Sequence, residues 1–317
     1  MLRPANEMGI FERVVERGSF AAAAQDAGLS PSGVSKLITR LELRLGVRLI
    51  NRTTRHLALT PEGETYLKRS REILSAIDAA ESEIASTRVS PRGRLRVHAP
   101  PVLAVDYLGP ALPVFLARYP KVTLDFLVTN RAVDLVGESV DVALRTGHLN
   151  DSSLIACKIV DLTQVICASP AYLARYGRPV LPGDLVRHSC LTLGRNPESA
   201  TWSFLINGAP LAVNVGGPVS ADSADMLTRL AIEGAGIVRL GEMAVAGAIG
   251  KGLLVPLLQD VLEPEKYPLR AVLPPGRQRA LKVKVFLEFL IERLGSAPWR
   301  TTGIAPRGNL SDQIPSI

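Results

Sequence analysis

Between Pro31 and Arg55 the chain carries six Lys or Arg (36, 40, 44, 48, 52 and 55) against one acid, Glu42. Lys36, Arg40, Arg44 and Arg48 follow one another at four-residue steps. Such steps drift only about 40° around a helix of 3.6 residues per turn, so the four form one slowly winding basic stripe. Its chemistry is the neutralisation of phosphate, and Lys36 can also reach guanine N7 or O6. Ser32 and Ser35 beside it each bring one donor and two acceptors, which suit bases or phosphates. Asn51–His56 adds Arg52 and Arg55 with Thr53 and Thr54, a set suited to phosphate or minor-groove contact. A lone stripe of this kind is equally a solvated helix face, so the elements that hold it must decide.

Those elements are legible from single residues. Ala21–Ala24 is a run of the strongest helix former; Ser19 can cap its start, and Gly28 can close it in a left-handed conformation. Ser30 and Pro31 open a second helix as N-cap and first helical residue. Val34, Leu37, Ile38, Leu41 and Leu45 give that helix one apolar face, and Gly46 stops it. Gly33 is small and is expected to let the two helices approach. Short apolar strands at Val47–Ile50 and Leu57–Leu59 flank the second basic cluster. Helix, tight turn, helix and basic hairpin make a winged helix-turn-helix, whose second helix enters the major groove by its N-terminal end. The expected DNA surface is Ser19, Ser30, Pro31, Ser32, Ser35, Lys36, Arg40, Arg52, Thr53, Thr54 and Arg55.

Beyond Thr60 the pattern changes. Thr60-Pro61-Glu62 starts a helix by cap, first-position proline and first-turn acid. It is expected to run to about Ser86, with Tyr66, Leu67, Ile73, Leu74, Ile77, Ala80 and Ile84 on one side. Lys68, Arg69, Arg71, Glu72, Asp78, Glu81 and Glu83 occupy the rest. Its apolar stripe needs cover, from the domain that follows or from a second subunit. Val89–Gly93 reads as a hinge. From there to about residue 297, strand and helix patterns alternate: strands at Arg94–Ala99, Val122–Thr129 and Val140–Arg145, helices at Val102–Arg118 and Val133–Gly137. Repeated units of this length predict largely parallel sheets with helices on both faces. Residues 298–317, rich in Gly, Pro, Ser and Thr, read as a disordered tail.

Other chemistries find little support. Gly234-Ala235-Gly236 continues to Arg239 where a dinucleotide fingerprint needs glycine or alanine, and it follows a helix instead of a first strand. There is no Gly-x-Ser-x-Gly and no phosphate-loop lysine motif. His56, His98, His148 and His188 lack metal-ligand spacing, and Cys157, Cys167 and Cys190 suggest no disulfide framework. No catalytic residue, metal or cofactor is expected. The net charge of +7 permits nucleic-acid binding without requiring it. With no signal sequence and no membrane-length apolar run, the expectation is a cytoplasmic protein without a membrane partner.

The run Gly18–Gly63, GSFAAAAQDAGLSPSGVSKLITRLELRLGVRLINRTTRHLALTPEG, resembles the N-terminal domain of the LysR-type transcriptional regulators. Ile50 departs from it, standing where the family usually has phenylalanine. The segments GRLRVHAPP, FLARYPKVTLDFLV, VDLVGESVDVALRTGHL, SSLIACKIV, ASPAYLARYGRP, DSADMLTRLAIEGAGIVRL and GLLVPLL resemble the effector-binding part of the same family. The resemblance implies a multidomain chain: an α-rich winged helix-turn-helix head (1–60), a linker helix and hinge (61–90), and an α/β effector domain (91–297). That domain would have two subdomains like type 2 periplasmic binding proteins, I at about 91–164 and 269–297 and II at about 165–268. The chain would cross near Thr163–Ala168 and return near Glu263–Leu273. The resemblance also implies a dimer through the linker helix, a tetramer that bends promoter DNA, and a small-molecule effector. RNA polymerase stands as a further candidate partner. The competing reading is a solute-binding or enzymatic α/β domain carrying an accessory DNA-binding head.

In open α/β sheets, ligands sit outside the carboxyl ends of strands. That rule selects His98, Pro100, Pro101 and Val102 after the first strand, Thr129, Asn130 and Arg131 after the next, and Arg145, Thr146 and Gly147 after the third. The family pattern adds the segments Leu191–Arg195 and Ser220–Asp222, with Leu193, Ser220 and Asp222 as their site residues. Arg145 can grip a carboxylate with its fork of donors, or form a structural ion pair with Asp134 or Asp141. His98 is a donor to the ligand or a satisfied core histidine. Pro100 and Pro101 stand where the family often places serine or threonine, and they remove two N–H donors from the helix start.

Overall fold

The computed structural model describes residues 4–52, 57–85, 90–147, 154–194, 196–263 and 266–302. Three helices open the chain: α1 (Pro4–Arg17), α2 (Phe20–Ala27) and α3 (Pro31–Leu45). The N–H of Ala22 donates to Ser19 Oγ and that of Gly33 to Ser30 Oγ, so both expected caps form. Gly28 (φ 64°) and Gly46 (φ 72°) end their helices in the left-handed region. Strands β1 (Ile50–Arg52) and β2 (Leu57–Leu59) pair antiparallel as the wing. Phe11, Val14, Val34, Ile38, Leu41, Leu49 and Ile50 close over one small core. Gly33 does not serve helix approach as expected: a Cβ there would meet only Ser30 Oγ, the cap itself.

Helix α4 (Pro61–Ala85) follows, about 37 Å long at 1.5 Å per residue. Thr60 Oγ1 accepts the N–H of Gly63 and donates to Arg48 O, tying the helix start to the base of the wing. Gly63 is required there, since a Cβ would lie 2.0 Å from Leu49 O. Tyr66 meets Phe11 edge-on at 5.5 Å. Arg71, one of the charged positions of this helix, is buried, only 7% exposed. The segment expected to end the helix and begin the hinge, 86–89, lies outside the described residues.

Subdomain I begins with β3 (Gly93–Ala99) and a helix expected to run through Arg118. Helical winding does start at Pro101, but Leu103–Leu108 is a π-helix before α5 (Gly109–Arg118). Pro110 and Pro113 explain it: neither has an N–H for the four-residue ladder, and Gly109 N–H bonds back to Ala104 O across five residues. Next come β4 (Val122–Val128), β5 (Val142–Thr146) and β6 (Ile155–Leu162). The helix expected at Val133–Gly137 is instead a turn. Asp134 Oδ1 takes the N–H groups of Val136 and Gly137, which diverts them from a helical ladder.

The chain crosses at Thr163 into subdomain II: β7 (Gln164–Ala168), α6 (Pro170–Tyr176) and β8 (Cys190–Leu193). A hairpin follows, β9 (Thr201–Ile206) and β10 (Ala209–Asn214), turning on Asn207-Gly208 with both φ positive. Then come β11 (Ser220–Ala221), α7 (Ala224–Ile232), β12 (Ile237–Gly241), α8 (Glu242–Gly250) and β13 (Val255–Leu257). The chain returns to subdomain I with β14 (Tyr267–Leu273) and α9 (Leu281–Leu294).

Each subdomain holds a five-stranded sheet, ordered β4-β3-β5-β14-β6 in I and β11-β8-β12-β7-β13 in II. The sheets are mixed, not largely parallel: β14 runs antiparallel to β5 and β6, and β7 to β12 and β13. The antiparallel strand in each is the one by which the chain enters from the other subdomain. Phe115, Phe286 and Phe289 pack on the first sheet, with ring centroids 5.2 to 6.5 Å apart. Each fully buried side chain of this size contributes about 1.5 to 3 kcal/mol.

Residues just past Ala297 also correct the expected tail. Pro298–Thr302 form a 3-10 turn, and Trp299 is buried in the subdomain I core. Residues 303–317, the rest of that segment, lie outside the described residues.

Candidate nucleic-acid interface and effector cleft

Helix α3 presents its N-terminal end to solvent. Pro31, Ser32 and Lys36 are exposed and Ser35 is half-buried. Ser30 Oγ holds Gly33 N–H at 3.1 Å and lies 3.1 Å from Ser32 Oγ. Ser19 Oγ is occupied as a cap. Glu42, the one acid of the basic stretch, accepts the N–H groups of Leu49 (2.9 Å) and Ile50 (3.2 Å) and so fastens the wing to α3. The stripe divides in two. Glu7, buried on α1, pairs with Arg44 at 2.8 Å and faces Arg40 at 3.8 Å. Lys36 and Arg48 have no carboxylate partner among the described residues. Glu7 escaped the sequence reading because it lies outside the helix-turn-helix run. The side chain of Arg52 and all of Thr53, Thr54, Arg55 and His56 lie outside the described residues.

Behind this surface runs a polar seam. Arg71 of α4 pairs with Glu12 of α1 at 3.2 Å and donates to Gly137 O of subdomain I. Ser139 also donates to Glu12. Arg94 of β3 bridges Glu16 (2.9 Å) and Asp125 (2.6 Å). Burial, then the neighbouring Glu16, raise the Glu12 carboxyl above its ordinary pKa, against the pull of Arg71. Head, linker helix and subdomain I therefore meet at one charged junction.

The second site is a cleft of about 500 Å³ between the two sheets. Of the residues expected there, His98, Pro100, Val102, Thr129, Asn130, Arg131, Arg145, Thr146, Leu193, Gly194 and Asp222 line it. Pro101, Gly147 and Ser220 do not. Pro101 begins the helix, Gly147 O accepts from Arg270, and Ser220 lies in the edge strand β11. Sequence reasoning missed Leu144, Gly241, Met243, Tyr267 and Leu269, among others. Gly241 ends β12, so the strand-end rule applied to that strand would have found it. Tyr267 and Leu269 belong to the antiparallel β14, which the rule does not reach.

Arg145 donates to Val133 O at 2.9 Å and pairs with no carboxylate among the described residues. Asp134 is occupied by its own turn, and Asp141 by Arg277 (2.8 Å) and the N–H of Arg96 (2.9 Å). His98 is 3% exposed, and neither ring nitrogen has a partner in hydrogen-bonding geometry. Burial, then Arg145, push its pKa down, with smaller opposing pulls from backbone groups of Thr129 and Arg131 and from Glu138. Burial therefore favours the neutral imidazole at the cleft wall, the form with one N–H donor and one acceptor.

At the hinge end of the cleft, Glu242 lies between the lining residues Gly241 and Met243 and is 1% exposed. Arg300 grips it with two bonds, Nη2 to Oε1 at 2.7 Å and Nε to Oε2 at 3.1 Å, and donates to Asp161 O at 2.6 Å. Thr163 N–H completes the Glu242 shell at 3.2 Å. Trp299 meets Tyr107 edge-on at 5.3 Å, and Tyr107 Oη donates to Met243 O. The turn after α9 thus straps subdomain I to the first turn of α8 in subdomain II. Among the described residues no group of His, Cys, Asp or Glu is arranged to hold a metal, and no helix is long and apolar enough to cross a membrane.

Comparison with known proteins bears on both sites. The family model described as LysR substrate binding domain matches residues 88–295, and that of the bacterial regulatory helix-turn-helix proteins, lysR family, matches residues 5–64. The HTH-type transcriptional regulator CrgA of Neisseria meningitidis is 36% identical over 293 residues, 92% of this chain and 97% of that protein. PtxR of Pseudomonas aeruginosa is 35% identical over 295 residues, 93% and 94% of the two chains. The solved structure of CrgA superposes with a TM-score of 0.61 at 37% identity, covering 92% of this chain and 98% of that one.

Proposed function

The chain belongs to the LysR-type transcriptional regulators, with a helix-turn-helix head for DNA and an effector-binding domain behind it, and from that premise we propose how it works. Two heads, joined through α4, dock in successive major grooves of a partly palindromic promoter site in the cytoplasm. Their centres lie about 34 Å apart or a multiple of it. Ser32, Ser35 and Lys36 meet the groove, and the wing follows the backbone. A small molecule in the cleft binds one arrangement of the subdomains better than the other. That difference in affinity is what can move the heads and the DNA between them. A tetramer and contact with RNA polymerase extend the same reading.

The observation that carries the proposal is the α3 N-terminus, where exposed Ser32 and an exposed Lys36 with no carboxylate partner among the described residues stand beside a wing fastened by Glu42. A gel shift with the DNA upstream of the protein's own gene tests it. A complex that survives excess unrelated duplex is expected, and loss of all selectivity would remove the basis for the reading.

A further inference from the structure

We infer that the effector is a small monocarboxylic acid with an apolar body, its carboxylate held by Arg145 with the imidazole of His98 beside it. The inference rests on the cleft being the effector site and adds the chemistry of its occupant. Size comes first. At about 30 Å³ for each water-sized unit, the 500 Å³ cleft holds roughly sixteen such units, which bounds the ligand to a small molecule.

The sign of its charge follows from what faces the space. Among the described residues Arg145 makes one bond, to Val133 O, which leaves most of its donors for a ligand, and Asp134 and Asp141 are engaged elsewhere. A half-buried guanidinium without a counter-ion favours an anion. His98 is buried beside Arg145, and neither of its ring nitrogens has a partner in hydrogen-bonding geometry among the described residues, although backbone groups of Thr129 and Arg131 lie near enough to act on it, so it adds a polar group and no negative charge.

The number of charges is limited by the remaining lining. Leu103, Leu144, Leu162, Leu193, Met243 and Leu269 make the walls apolar. Arg131 and Asp222, both exposed, bring one charge of each sign to the lining, so Arg145 is left as its net positive charge, enough for one carboxylate. Pro100 and Pro101 deny this helix start two of the N–H donors that a phosphate group would draw on. A phosphate ester or a dicarboxylate therefore finds fewer partners here than a single carboxylate on an apolar frame.

The test is a thermal-shift and calorimetric screen of the full chain against cyclic and open-chain monocarboxylates of five to ten carbons. Each is run beside its primary amide, its matched dicarboxylate and a phosphate monoester of the same frame. At least one acid is expected to raise the effector-domain melting temperature at millimolar concentration, with its amide at least tenfold weaker. Arg145→Met should lose tenfold or more for that acid with no change for the amide, and Arg145→Lys should recover part of the loss. No binding by any acid, equal binding of the amide, or preference for the dicarboxylate or phosphate ester would overturn the inference. Leu103→Trp, which fills the cleft, separates the two levels of the argument. An acid that still binds this variant shows that the cleft reading itself is wrong, whereas amides that bind only the unfilled cleft leave it standing.

Discussion

Replacing Arg300 by alanine removes the partner of a carboxylate that has almost no access to water. Glu242 is 1% exposed, and without Arg300 its remaining described contact is the N–H of Thr163 at 3.2 Å. Breaking a buried pair from one side costs about 3 to 5 kcal/mol, because the other charge stays behind. The Arg300 side chain is 24% exposed, so water can follow it in, and the low end of about 3 kcal/mol applies. For a domain of roughly 200 residues, each kcal/mol moves the melting temperature by about 2 to 4 °C, which predicts a fall of about 6 to 12 °C. Differential scanning fluorimetry of the full chain reads it in the effector-domain transition. Adding Glu242→Gln to Arg300→Ala should restore part of the loss, since the orphaned charge is then gone. A fall below about 2 °C, or a double variant no better than the single one, would refute the strap as a stabilising contact.

Other consequences can be checked directly. Lys36→Ala should weaken binding to the cognate site and flatten the dependence of log K on log salt by about 0.9, the loss of one phosphate contact, measured by anisotropy across a salt series. Glu7→Gln should cost the head about 1.5 to 3 kcal/mol, the range for a hydrogen bond to a charged group, and should free Arg40 and Arg44 so that the salt dependence steepens. An unchanged slope would mean that those arginines do not reach DNA. Gly63→Ala should destabilise the head by about 1 to 3 kcal/mol, because its Cβ meets the carbonyl of Leu49 and neither backbone can yield cheaply. Burial pushes the Cys167 and Cys190 thiols up to about 12, while Cys157, also raised by burial, is only half-buried. At pH 8 a thiol reagent should therefore find one equivalent in the native chain, slowly, and three after denaturation.

The head was readable because its signals are local. A cap, a proline and a left-handed glycine act within one turn, and Ser19, Gly28, Ser30, Gly46 and Thr60 each sit where those rules place them. What escaped depended on distant partners. Helical spacing could not show that Arg71 is buried, because its partners are Glu12, 59 residues earlier, and Gly137. Trp299 read as tail because nothing near it in sequence reveals Tyr107 as its neighbour. The turn at Asp134 defeated helical spacing because one carboxylate oxygen took two backbone donors. In the cleft, strand ends pointed to His98 and Arg145, but the rule was silent on β14, and on α8 and the strap that holds it. The mixed sheets follow from the crossovers, which reverse one strand in each subdomain.

The central claim is that the head reads a particular DNA sequence. The most direct measurement is fluorescence anisotropy of the full chain on labelled DNA from upstream of its own gene, with unlabelled cognate or unrelated duplex as competitor at fixed salt. The account predicts that the cognate duplex competes about a thousandfold or more better than the unrelated one. Equal competition by the two would contradict it.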